Sequence, residues 1–161
     1  MNLFESAPVW LSWILVALLT AAALEDAVRL RISNTLCAGV LVGALVAMAV
    51  AGVETSLWQN AIVFVAVLTG GTLLFARGMF GGGDVKLLAA VSLWCNFSTA
   101  FLLLTSVFLS GGILALVILA ARTFAPAGAV ANVAVLKPRA GIPYGIAIAA
   151  GALLTLVLQR S

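Results

Sequence analysis

Histidine is absent from this chain of 161 residues, and only 8% of its residues are charged. Without histidine there is no imidazole metal site and no Ser–His or Cys–His nucleophile pair. The two cysteines, Cys37 and Cys95, stand singly in apolar segments, which excludes CxxC zinc sites. Basic clusters with interleaved aromatics are missing as well, so the net charge of +3 is no sign of a nucleic-acid partner. No metal and no cofactor is expected. Among common hydrolytic chemistries, those built on carboxylates or on a Ser/Lys pair survive, and no serine has a privileged position for the second. The N-terminus has no basic n-region, and Glu5 precedes the first apolar run, so that run reads as a retained helix rather than a cleavable signal peptide.

What the chain has is apolar residues: 65% are hydrophobic and the mean hydropathy is +1.28. A soluble domain carries about a quarter charged residues. The composition therefore predicts an all-α membrane protein with the lipid bilayer as its surroundings, folded as one domain over 1–161. Six apolar runs predict six transmembrane helices, over 8–24, 35–53, 57–76, 84–97, 99–121 and 143–158. Pro8 suits a first helical turn, and Ser33 and Asn34 are N-cap types. Six spans place the connections 25–34, 77–86 and 122–141 on one side of the membrane. These hold Arg29, Arg31, Arg77, Lys86, Arg122, Lys137 and Arg139, seven of the eight positive residues, against Arg160, Glu5 and Glu54 on the other side. Positive residues stay cytoplasmic, so both termini of this multi-pass protein are expected outside.

The fourth run is short. Fourteen helical residues span about 21 Å, against a hydrocarbon core about 30 Å thick. Its N-terminal end, Gly81-Gly82-Gly83-Asp84-Val85-Lys86, is expected to lie below the inner surface, where irregular backbone is tolerated only inside protein or beside water. A carboxylate in such a setting is costly and needs a reason. Of the five acidic residues, Glu5 and Glu54 fall on the far side, leaving Glu25, Asp26 and Asp84. Asp26 closes the first helix and Asp84 opens the fourth. Two carboxylates brought together from separate helices share a proton, one activating water and the other protonating a leaving group. Helix polarity suggests Asp84 as resting base and Asp26 as resting acid, with a bell-shaped pH dependence. The competing readings are plain. An aspartate after a flexible glycine turn is commonly an N-cap, and Asp26 beside Arg29 and Arg31 would ordinarily be a solvated charge pair. Glu25 reads as such a residue, and the tryptophans and Tyr144 as interface anchors or packing.

Three segments carry a resemblance that weighs against those readings. Asp26 with R-L-R-I-S-N at 29–34, G-G-G-D-V-K-L-L at 81–88 and I-P-Y-G at 142–145 resemble, in order and spacing, three signatures of type IV prepilin leader peptidases. The nearest likeness is to the short, single-domain form found in tight-adherence (Tad/Flp) pilus systems. Ser33 stands where family members often have proline, and Glu25 where they often have tyrosine. The resemblance implies a GxGD-type membrane aspartic endopeptidase that removes the basic leader from prepilins and pseudopilins at the cytoplasmic face of a bacterial inner membrane, whose outer side is the periplasm. It implies Asp26 and Asp84 as the catalytic pair, with Gly81, Gly83, Lys86, Asn34, Pro143 and Gly145 shaping the site. The longer relatives methylate the new N-terminus through a cysteine-bearing insert after the first helix. That connection is under ten residues here, so peptidase activity alone is expected. A presenilin-like protease, which shares the G-x-G-D element, is disfavoured by size and by the lack of a Pro-Ala-Leu motif. A small transporter or non-peptidase subunit of a secretion machine is the alternative from another class.

Overall fold

The computed structural model describes residues 1–52, 55–124 and 141–160. These residues form seven helices and no strand: α1 (Leu3–Ser6), α2 (Val9–Arg29), α3 (Asn34–Ala51), α4 (Leu57–Ala76), α5 (Gly82–Ser92), α6 (Phe97–Phe124) and α7 (Tyr144–Arg160). Four of them, α2, α3, α4 and α6, are long and apolar enough to cross a membrane, and α7 is a shorter apolar helix. The expected run at 84–97 is the clearest departure. It begins two residues earlier and ends five earlier, leaving α5 with 11 residues, or about 16 Å. Glu54, Lys137 and Arg139, used above in the charge count, lie outside the described residues.

α5 is short because it is an inner element. Val85, Leu87, Leu88, Ala89, Ala90, Val91 and Ser92 are all buried, and α3, α4 and α7 pack around it. From Leu87 to Ser92 every residue is buried, and a helical segment with no solvent face to present must be enclosed. The outer surface carries the reverse pattern, with Ile62, Val65 and Leu73 of α4 and Phe101, Phe108, Ile113 and Leu116 of α6 exposed. Small residues bring the helices close, as expected where lipid supplies no hydrophobic drive between them. A β-carbon at Gly151 would stand 2.6 Å from the Val107 nitrogen, so α6 and α7 touch backbone to backbone there. On α4, one at Gly71 would meet a Val85 methyl at 2.7 Å.

The first helix runs five residues past its expected end, through the charged passage to Arg29. Charge does not stop it, because Arg29 and Glu25 stand four apart and pair at 3.4 Å on its surface. Ser33 caps α3 as its type predicts, accepting from the Leu36 N–H.

The far end of the bundle is closed by α1, which the sequence did not announce. The Leu3 N–H donates to the Trp94 carbonyl at 3.0 Å, and the Phe4 ring stacks on the Trp94 indole. Trp94 is thus core, donating its indole N–H to the Val40 carbonyl, while Trp10, Trp13 and Trp58 stay exposed. Asn60 of α4 is fully buried and donates to the carbonyls of Met1 and Leu93, both at 3.0 Å. Truncating Asn60 to Ala strands both acceptors. The expected loss is about 2–4 kcal/mol of stability, read as a lowered Tm in detergent.

Candidate active site

Asp26 sits in the last turn of α2, and only 4% of it is exposed. Its position depends on Glu25, its neighbour, facing outward. Glu25 accepts from the Ser33 N–H at 2.9 Å and pairs with Arg29, fixing the α2–α3 turn. The solvated charge pair expected of this passage therefore belongs to Glu25, and Asp26 points inward. Its Oδ2 accepts the Gly145 N–H at 2.7 Å. Gly145 is the second residue of α7, so the Asp26 carboxylate supplies a cap for that helix from outside it. Pro143, buried just before α7, leaves its carbonyl to the Ile146 N–H.

After Asp26 the chain reverses at Leu30, whose φ of 52° and ψ of 36° lie in the left-handed region. Leu30 is the one non-glycine residue with positive φ among those described. The conformation costs about 1–2 kcal/mol. It buries Ile32 against Asp26 and leaves Arg31 exposed at the rim, and both line the cavity.

Asp84 is the third residue of α5 and is half-buried. It reaches back to the backbone N–H of Gly81, which precedes the helix, in the manner of a capping box. Asp26 and Asp84 line one cavity of about 590 Å³, and Asp84 feels the Asp26 charge. Its wall also includes Phe80, Gly81, Gly83 and Tyr144, and it opens outward where Gly81 and Gly141 are exposed.

The triple glycine makes room. Its three residues all avoid positive φ, which in this connection occurs at Gly78 alone (73°). A β-carbon at Gly81 would stand 2.5 Å from Asp84 Oδ2, and one at Gly83 would stand 3.3 Å from the Ile32 carbonyl oxygen. Gly83 lets α5 start hard against the α2–α3 turn, and Gly81 leaves room for the Asp84 carboxylate, so both serve close approach.

Gly81, Gly83 and Gly145 thus meet around the two aspartates, with Pro143 behind Gly145. Lys86 and Asn34 do not join them. The Lys86 ammonium donates to Asn34 Oδ1 at 2.9 Å, tying α5 to α3 on a flank that the cavity does not include. Two residues after Asp84 on a helix is the opposite face, which explains the separation. The polarity argument for acid and base also loses its footing. Asp26 does close α2, but its carboxylate meets the N-terminus of α7. Both carboxylates therefore face helix N-termini, and the dipoles favour neither as the charged partner. Phe80, Tyr144 and Ile32 were not anticipated as cavity walls. Tyr144 had a usable signal, its place inside I-P-Y-G, but a lone tyrosine among apolar residues reads as an anchor.

A family model described as the type IV leader peptidase family (Peptidase_A24) matches residues 13–116, well over half of the chain. The chain belongs to the type IV leader peptidase family. Membership makes it a peptidase of the aspartic type, and the apolar helices agree with a membrane enzyme. No curated protein and no solved structure matches the chain. The matched stretch contains both aspartates and ends within α6. The I-P-Y-G segment lies beyond it, and the Gly145–Asp26 hydrogen bond ties that segment to the leader peptidase core.

Proposed function

We propose that this chain is a prepilin leader peptidase in which Asp26 and Asp84 are the catalytic pair. The observation that carries the reading is that two carboxylates from separate helices face one cavity. Sharing one proton, the ionised member takes a proton from water as the water oxygen attacks the scissile carbonyl carbon. The protonated member then donates to the leaving nitrogen as the C–N bond breaks. The Gly145 and Gly81 N–H groups hold the two carboxylates by their backbones and spend no side chain on it.

The substrates proposed are prepilins and pseudopilins of the Tad/Flp type, cut between a basic leader and a hydrophobic helix. Arg29, Arg31, Arg77 and Lys86 lie at the end of the bundle that carries the aspartates, which supports a cytoplasmic location for the cavity. On this reading α5 and α7 complete a six-pass, single-domain inner-membrane protein with both termini periplasmic. The α2–α3 connection, residues 30–33, leaves no place for a methyltransferase insert, so the product is expected without an added methyl group. The test is to incubate purified protein with a Tad/Flp prepilin and weigh the product by mass spectrometry. A shortened, unmethylated pilin is expected. Intact prepilin, with a well-folded protein that instead conducts ions in liposomes, would overturn the reading in favour of a small transporter.

A further inference from the structure

Tyr144 enters the cavity from the first turn of α7, next to the glycine that holds Asp26. Its ring is packed by residues of two other segments. Phe80, from the loop before α5, packs on it with ring centroids 5.1 Å apart and planes tilted by 54°. Gly111 of α6 also abuts it, where a β-carbon would stand 2.9 Å from both Cζ and the hydroxyl oxygen. Gly111 is buried and is not part of the cavity wall, so its glycine serves the seating of the Tyr144 ring. Three separate segments thus converge to set the position of one aromatic face beside the two aspartates.

We propose that the Tyr144 ring, braced by Phe80 and seated on Gly111, is the specificity-determining wall of the cavity. It limits the size of the side chain that a substrate presents next to the scissile bond. This rests on the peptidase reading above. A wall of this kind discriminates by steric exclusion, and one methylene of misfit is worth roughly 10–200-fold in a confined pocket. The hydroxyl is not required, whereas the position of the ring is.

The experiment compares three precursors carrying Gly, Ala or Leu next to the scissile bond, and reads the ratio of kcat/KM for Leu to that for Gly. Taking the ratio on one preparation cancels any loss of folded enzyme. Tyr144→Phe is expected to keep the wild-type ratio. Tyr144→Ala should raise it by about tenfold or more. Gly111→Ala pushes the ring inward and should lower it by a similar factor, although residue 111 touches no substrate. The same ratio is read as Kd for each precursor in the Asp84→Asn background, so a variant too slow to assay still reports. Ratios within twofold of wild type for both Tyr144→Ala and Gly111→Ala, in cleavage or in binding, overturn the wall. Failure of the wild-type enzyme to cut any precursor would instead overturn the peptidase reading.

Discussion

Exchanging Asp26 or Asp84 for Asn is expected to remove leader cleavage, by roughly 10³-fold or more, while the protein still inserts and folds. Asparagine keeps the shape of the side chain and an oxygen that can accept a hydrogen bond. In Asp26→Asn that oxygen can still receive the Gly145 N–H, which the native carboxylate meets at 2.7 Å. In Asp84→Asn the side-chain oxygen can likewise still accept the Gly81 N–H, so the helix start at Gly82 is expected to stay intact. What each variant loses is the ability to pass a proton between the two sites. The double variant should therefore be no worse than either single one, since the two groups act as a unit. Cleavage and Tm measured on the same detergent preparation give the check. A single variant retaining more than a tenth of the wild-type rate would remove that aspartate from the chemistry.

Gly145→Ala carries the second large effect. A β-carbon there would stand 2.8 Å from Asp26 Oδ2, 3.0 Å from Asp26 Cβ and 2.8 Å from Ile32 Cδ1. One obstacle is the carboxylate proposed to be catalytic, so relief has to come by moving it or by shifting the start of α7. A misplacement of about 1 Å costs on the order of 100-fold in rate. Overpacking costs about 1–3 kcal/mol of stability. Gly112→Ala is the matched control. Nothing lies within 4 Å of a β-carbon there, and alanine inside a helix gains about 0.5–1 kcal/mol over glycine. It should leave kcat/KM unchanged and raise the Tm slightly. Ile32→Val removes Cδ1 and leaves the Asp26 overlap in place, so it should fail to rescue Gly145→Ala. A full rescue would show that the obstruction acts through Ile32 and that the Asp26 position tolerates the change.

Much of the fold was legible because apolar runs report helices directly. The run at 57–76 coincides with Leu57–Ala76, and most other ends differ by one to three residues. The two larger errors share a cause. The charged passage after Leu24 reads as a connection, yet Glu25 and Arg29 are one turn apart and continue the helix. The run at 84–97 was read to its last apolar residue, whereas Trp94 and Cys95 are apolar because they are buried, not because they are helical. Lys86 and Asn34 were grouped with the site by sequence nearness and motif, and helical geometry turns them to another face.

The sequence by itself determined that this is a helical membrane protein, and its motifs pointed to the family and singled out Asp26 and Asp84 as the pair proposed here to be catalytic. Those conclusions rest on composition, on single costly charges and on short local patterns, all of which survive without knowing what touches what. Tertiary structure alone decided which neighbour of Asp26 takes the surface charge pair and which residues wall the cavity. It also decided that a backbone N–H 119 residues along the chain holds the buried carboxylate. Such contacts join segments with no local relation, and the close approach allowed by Gly83 to the Ile32 backbone and by Gly111 and Gly145 to the Tyr144 and Asp26 side chains leaves no periodic signal in the chain. A glycine records that space was needed there, and only the fold names the atom that fills it.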